Sequence, residues 1–147
     1  MHLRLPTSAA AKWRLAALLP LALLVGCRYN PAGASVPFSR VDLQVGTGAE
    51  ATTGKVVSVH YTGWLYSESG PDNKGLSFDT SIGRTPFTFV VGVGQVITGF
   101  DTGVLGMRVG GTRRIVVPPN LAYGAQGTGV IPPNSAIIFE VELLDVQ

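Results

Sequence analysis

The chain has 147 residues, 46% of them hydrophobic and 14% charged, which is room for one domain with a real core and excludes wholesale disorder. Nineteen glycines and ten prolines favour a turn-rich β fold over a helical bundle. The formal charge of +2 is concentrated at the front: Arg4, Lys12 and Arg14 have no acid near them, and the other eight basic residues face nine acidic ones, which leaves no basic stripe for nucleic acid.

The first element follows those charges. Leu15 to Val25 is an apolar run of eleven residues. That is too short for a permanent span, which takes roughly 20, and it suits the apolar region of a secretory signal. It ends at Leu24-Val25-Gly26-Cys27, which resembles the bacterial lipobox, where small residues precede a cysteine that is acylated after export. The expected organisation is a lipoprotein signal peptide over 1–26, a lipidated tether over 27–37 rich in Pro, Gly and small residues, and a folded domain over 38–147. The protein would then be exported and membrane-anchored through Cys27. Cys27 is the only cysteine and His60 the only histidine after it, so no disulfide within the chain, no metal and no cofactor are expected.

In the domain, Val41–Val45 is a strand candidate. Val57, Val59 and Tyr61 alternate with polar residues, as do Phe87, Phe89 and Val91, and later Ile137, Phe139, Val141 and Leu143. This period of two predicts strands of an antiparallel sheet with one buried side; Thr112–Val117 is a further candidate. Thr98-Gly99-Phe100-Asp101 has the form of a helix start: Thr98 is expected as the N-cap and Asp101 at the positive end. Ile97, Phe100 and Val104 recur at helical spacing, and Gly106 marks the stop.

Two phosphate-binding signals fail. In Gly46–Lys55 a P-loop would need glycine where Ala49 stands, and Ser or Thr where Val56 stands. Gly92-Val93-Gly94 lacks the third glycine of a dinucleotide fingerprint. No nucleophile elbow is present, and His60 reads as a sheet-surface residue rather than a base.

Eight segments in order carry a more specific signal. Val59-His60-Tyr61-Thr62-Gly63, Phe78-Asp79-Thr80-Ser81, Pro86-Phe87-Thr88-Phe89, Gly94-Gln95-Val96-Ile97-Thr98-Gly99-Phe100, Val109-Gly110-Gly111, Ala122-Tyr123-Gly124, Ile131-Pro132-Pro133-Asn134 and Phe139-Glu140-Val141-Glu142-Leu143-Leu144 resemble the conserved segments of FKBP-type peptidyl-prolyl cis-trans isomerases. The resemblance runs from Phe38 to the end.

It implies an α+β fold in which a curved antiparallel sheet of about five strands wraps one short helix. It implies an apolar pocket walled by Tyr61, Phe78, Phe87, Val96, Ile97 and Phe139, with Tyr123 offering its hydroxyl and Ile97 its backbone N–H to a substrate carbonyl. Asp79 would sit at the rim held by Arg84, and Val130 and Ile131 would form a lip. The catalytic set is then Tyr61, Asp79, Ile97, Tyr123 and Phe139; substrate would also meet Phe78, Phe87, Val96, Phe100, Val130 and Ile131. Phe100 stands where the family usually has a tryptophan floor, and residues 68–75 lengthen one turn. The expected partners are proline-containing polypeptides and macrolide inhibitors, bound by a monomer. A non-catalytic binding or chaperone module using the same pocket is the alternative.

Overall fold

Seven regular elements follow in chain order: β1 (Ser39–Gln44), β2 (Val56–Tyr66), β3 (Lys74–Thr80), β4 (Phe87–Val90), α1 (Thr98–Val104), β5 (Thr112–Val117) and β6 (Ile137–Val146). They come from a computed structural model that describes residues 36–147. The segments expected as a signal peptide over 1–26 and as a lipidated tether from Cys27, as far as residue 35, lie outside the described residues.

The period of two does what it predicts in the longest strands. Val57 and Val59 of β2, and Ile137, Val141 and Leu143 of β6, are fully buried. All pairs are antiparallel, in the order β1-β5-β6-β2-β3, and β4 shares the far edge of β2 with β3. β2 and β6 pair from Val57↔Val146 to Leu65↔Ile137, with a register shift between Ser58 and Val59. Two more shifts interrupt the β2–β3 ladder after Gly63 and Trp64. Such bulges bend and twist a strand, and here they curl the sheet around α1.

The helix reaches the sheet through two glycines one turn apart. A Cβ on Gly99 would lie 2.1 Å from Val117 Cγ1, and one on Gly103 would lie 2.5 Å from Ile115 Cδ1. Side chains at these positions would lift α1 off β5. The core between them holds Phe89, Phe100, Val104, Met107, Ile115, Val117 and Phe139 with the β2 and β6 valines.

The far end of the helix is held by charge. Arg113, 8% exposed, donates through Nη1 to the carbonyls of Gly103 (2.9 Å) and Leu105 (3.1 Å) and through Nε to Asp42 Oδ1 at 2.6 Å. Arg40 donates to Thr102 O and Leu105 O. These cations meet the carbonyls a helix C-terminus leaves without partners. The Arg113 hydrogen bond outweighs the cost of burial and holds the Asp42 carboxyl below its ordinary 3.8.

The curved antiparallel sheet and its one short helix are as expected; the sheet's six strands include Lys74–Thr80, whose burial does not alternate cleanly. Residues 68–75 are therefore only partly a turn: Pro71–Asn73 is a short 3-10 turn, and Lys74 and Gly75 already belong to β3. The first strand covers Ser39–Gln44 rather than 41–45; its ladder with β5 runs from Ser39↔Val116 to Gln44↔Thr112, and the Arg40 and Asp42 side chains add bonds to the helix end and to Arg113. Thr98 is the first helical residue, not the N-cap; Ile97 takes that position with no side-chain cap, and α1 stops at Val104 with Leu105 as C-cap.

Candidate active site

The strands and the helix bring six aromatic rings to one end of the core. Phe139 of β6 pairs with Gly63 of β2 on one side and Ile115 of β5 on the other. Because Gly63 has no side chain, the rings of Phe78 and Phe139 fill the space above it; a Cβ there would be 2.5 Å from one and 2.9 Å from the other. Tyr61, two residues earlier in β2, lies edge-on to Phe87, Phe100 and Phe139, with centroids 5.9, 5.7 and 6.1 Å away. Phe100 and Phe139 meet edge-on at 5.0 Å. Edge-to-face contacts are favoured by the ring quadrupoles, so the walls fix one another.

These rings enclose an open cavity of about 160 Å³ lined by Tyr61, Phe78, Asp79, Phe87, Val96, Ile97, Phe100, Tyr123 and Phe139. Phe100 and Phe139 are both 4% exposed and form its floor and back, while Phe87 and Tyr123 are each 37% exposed at its mouth. An apolar concavity with few polar groups suits a small, mostly apolar ligand moiety.

Asp79 is at the rim, but its principal partner is not Arg84. Tyr61 Oη donates to Asp79 Oδ2 at 2.5 Å, and the Thr80 N–H donates to Asp79 Oδ1 at 2.8 Å. Arg84 is 4.0 Å away, and both side chains are solvated, a geometry that contributes little. Burial, then the hydrogen bond to Asp79 and its charge, pushes the Tyr61 hydroxyl up to about 12. Burial and the Asp79 charge also raise Tyr123 above its ordinary 10.0. Both phenols are therefore neutral donors at any physiological pH. Two donors are left for a ligand: neither the Ile97 N–H nor the Tyr123 hydroxyl has a protein acceptor among the described residues.

Nine of the expected contact residues thus meet at one cavity, and two do not. Val130 and Ile131 are outside its lining. Ile131 pairs with Thr128 through two backbone hydrogen bonds of 2.7 and 3.0 Å; this tight turn carries Ile131 into the core at 5% exposure and leaves Val130 at the tip, 64% exposed. His60 is on the opposite face of β2, with Nδ1 3.0 Å from Ser81 Oγ. The Tyr61–Asp79 bond and the space over Gly63 were not foreseen. The bond joins residues 18 apart, and only the β2–β3 pairing, itself unforeseen, could have shown it.

Residues 48–144 match the FKBP-type peptidyl-prolyl cis-trans isomerase family. The chain is 51% identical over 107 residues to an FK506-binding protein of Neisseria meningitidis serogroup A, covering 71% of this chain and 92% of that protein. It is 42% identical over 127 residues to FK506-binding protein 2 of Dictyostelium discoideum, covering 85% and 80%. The fold superposes on the crystal structure of AtFKBP13 with a TM-score of 0.64 at 35% identity, over 78% of this chain and 97% of that one. On FkpA from Escherichia coli the TM-score is 0.63 at 36% identity, over 78% and 50%. With the ordered motifs, the curled sheet and the aromatic cavity in agreement, the chain belongs to the FKBP-type peptidyl-prolyl cis-trans isomerase family.

Proposed function

We propose that this isomerase acts on exported polypeptides from a lipid anchor at Cys27, and that its aromatic cavity is where the X–Pro bond turns. The anchor rests on the basic start, the apolar run over 15–25 and the single cysteine that closes it. The observation that carries the chemistry is the pairing of an apolar cavity with two free neutral donors, the Ile97 N–H and the Tyr123 hydroxyl.

The reaction needs no bond made or broken. Amide resonance sets a barrier of about 18–20 kcal/mol, and an X–Pro bond left alone turns in tens to hundreds of seconds. At the twisted transition state resonance is lost and the carbonyl oxygen gives up partial charge. Water solvates the planar, polar ground state better than the twisted one; a cavity of Phe78, Phe87, Phe100 and Phe139 removes that preference. A donor holding one carbonyl fixes one side of the bond while the other rotates. Each tenfold in rate requires about 1.36 kcal/mol of such discrimination.

Macrolides of the FK506 kind compete for the same cavity in this reading, in keeping with the names of the relatives. Phe100 gives a smaller floor than the tryptophan the family resemblance implies, without an indole N–H, so the affinity is reduced. The test is turnover of a short proline peptide by the purified protein. Acceleration proportional to protein concentration and blocked by FK506 supports the reading. Peptide binding with no acceleration would establish a non-catalytic binding module instead.

A further inference from the structure

The loop that ends in the Ile97 donor is gripped at both ends by one residue of the helix behind it, and on that geometry we propose Asp101 as a positioning residue of the isomerase site. Asp101 is 8% exposed and directly follows the floor residue Phe100. Its Oδ1 accepts the Gly92 N–H at 2.6 Å and its Oδ2 the Gly94 N–H at 3.0 Å. Its own backbone N–H donates to Ile97 O at 3.0 Å. Side chain and main chain of one residue therefore close residues 92–97 into a ring with α1.

The loop is shaped for this grip. Gly92 and Gly94 have φ of 81° and 78°, the left-handed region that disfavours residues with a Cβ, and each donates its N–H to the carboxylate. The Val90 N–H donates to Gln95 Oε1 at 2.8 Å, which fixes the loop's middle. Val96 and Ile97, which follow, line the cavity. A helix-capping role does not account for the carboxylate, because both of its partners lie outside α1. Nor does an ion pair: among the described residues no Lys or Arg comes within 4.0 Å of it. Hydrogen bonds to a charged acceptor are the stronger kind, and two of them converge on a loop otherwise exposed from Gly92 to Gln95.

The proposal rests on the reading of Ile97 as a substrate donor. Asp101→Asn keeps the shape but turns an NH₂ toward one of the two loop N–H groups. It is expected to lower kcat/KM for a proline peptide about tenfold, and to reduce the movement of the Ile97 amide resonance that saturating peptide produces in the native protein. Gln95→Ala, at an exposed position outside the helix, is expected to cost about threefold. Val104→Ala loosens the same helix away from the cavity and serves as the control for stability; it is expected to remain within about twofold of native. Native kcat/KM in Asp101→Asn overturns the proposal, as does a loss that Val104→Ala reproduces at equal Tm. If Asp101→Asn does not fold, Gln95→Ala decides: the threefold loss supports the proposal and native activity overturns it. A native protein that does not turn over the peptide overturns the isomerase reading and this inference together; native turnover with an unchanged Asp101→Asn overturns this one alone.

Discussion

Tyr61 and Tyr123 divide the polar work of the cavity. Tyr61 spends its hydroxyl on Asp79 and thereby holds the rim; in the proposed function Tyr123 gives its hydroxyl to the substrate. In the proposed mechanism the apolar walls do most of the discrimination, so Tyr123→Phe is expected to lower kcat/KM by about two- to twelvefold, since removing a single neutral hydrogen bond costs about 0.5–1.5 kcal/mol. Loss of all measurable turnover in that variant would place the catalysis in the hydroxyl instead. The walls were legible in the sequence because each sits in a short motif of the family resemblance. Ile131 was misplaced because a motif fixes order along the chain, not the direction a tight turn gives each side chain. The same limit hid the Tyr61–Asp79 bond, which exists only once two strands are paired.

The elements carry the stability of the site. α1 is only seven residues long, too short to persist unaided, so it depends on lying flat against β5. Gly99→Ala would gain up to about 1 kcal/mol of helix propensity but push a Cβ into Val117, and overpacking costs about 1–3 kcal/mol. A net loss of about 1–2 kcal/mol in urea unfolding is expected. The Arg113–Asp42 clamp at the other end gives an acid signature. The folded Asp42 carboxyl lies below 3.8, so its contribution is whole above that value and is lost as pH falls through the folded one. The stability gap between the native protein and Asp42→Asn should therefore narrow from pH 5 to pH 2; the gap is modest because Asp42 is 40% exposed. Alternation made β2, β4 and β6 readable. It failed for β3, whose exposed Gly75, Leu76 and Ser77 show no buried face, and for the helix start, where a backbone turn at Ile97 replaces the expected threonine cap.

At the scale of the whole molecule, the proposed location and the chemistry rest on different parts of the chain. Eleven residues lie between Cys27 and Ser39, and at no more than about 3.3–3.6 Å each a lipid on Cys27, in the proposed function, would keep the cavity within reach of polypeptides emerging at a membrane. Cys27→Ser is expected to move the protein from the membrane fraction to the soluble one with its turnover unchanged; a variant that remains with the membrane would refute the anchor. The domain's architecture was readable because its motifs are local and ordered, while strand count and edge register depend on long-range pairing that no single segment encodes. In the proposed function the apolar cavity lowers the barrier without moving a proton. Its pH dependence decides this, measured as kcat/KM for cis-to-trans turnover between pH 6 and pH 9. With Tyr61 near 12 and Tyr123 raised as well, the profile should be flat to within about twofold; a bell or a step of about tenfold, which general acid–base catalysis produces, would contradict it.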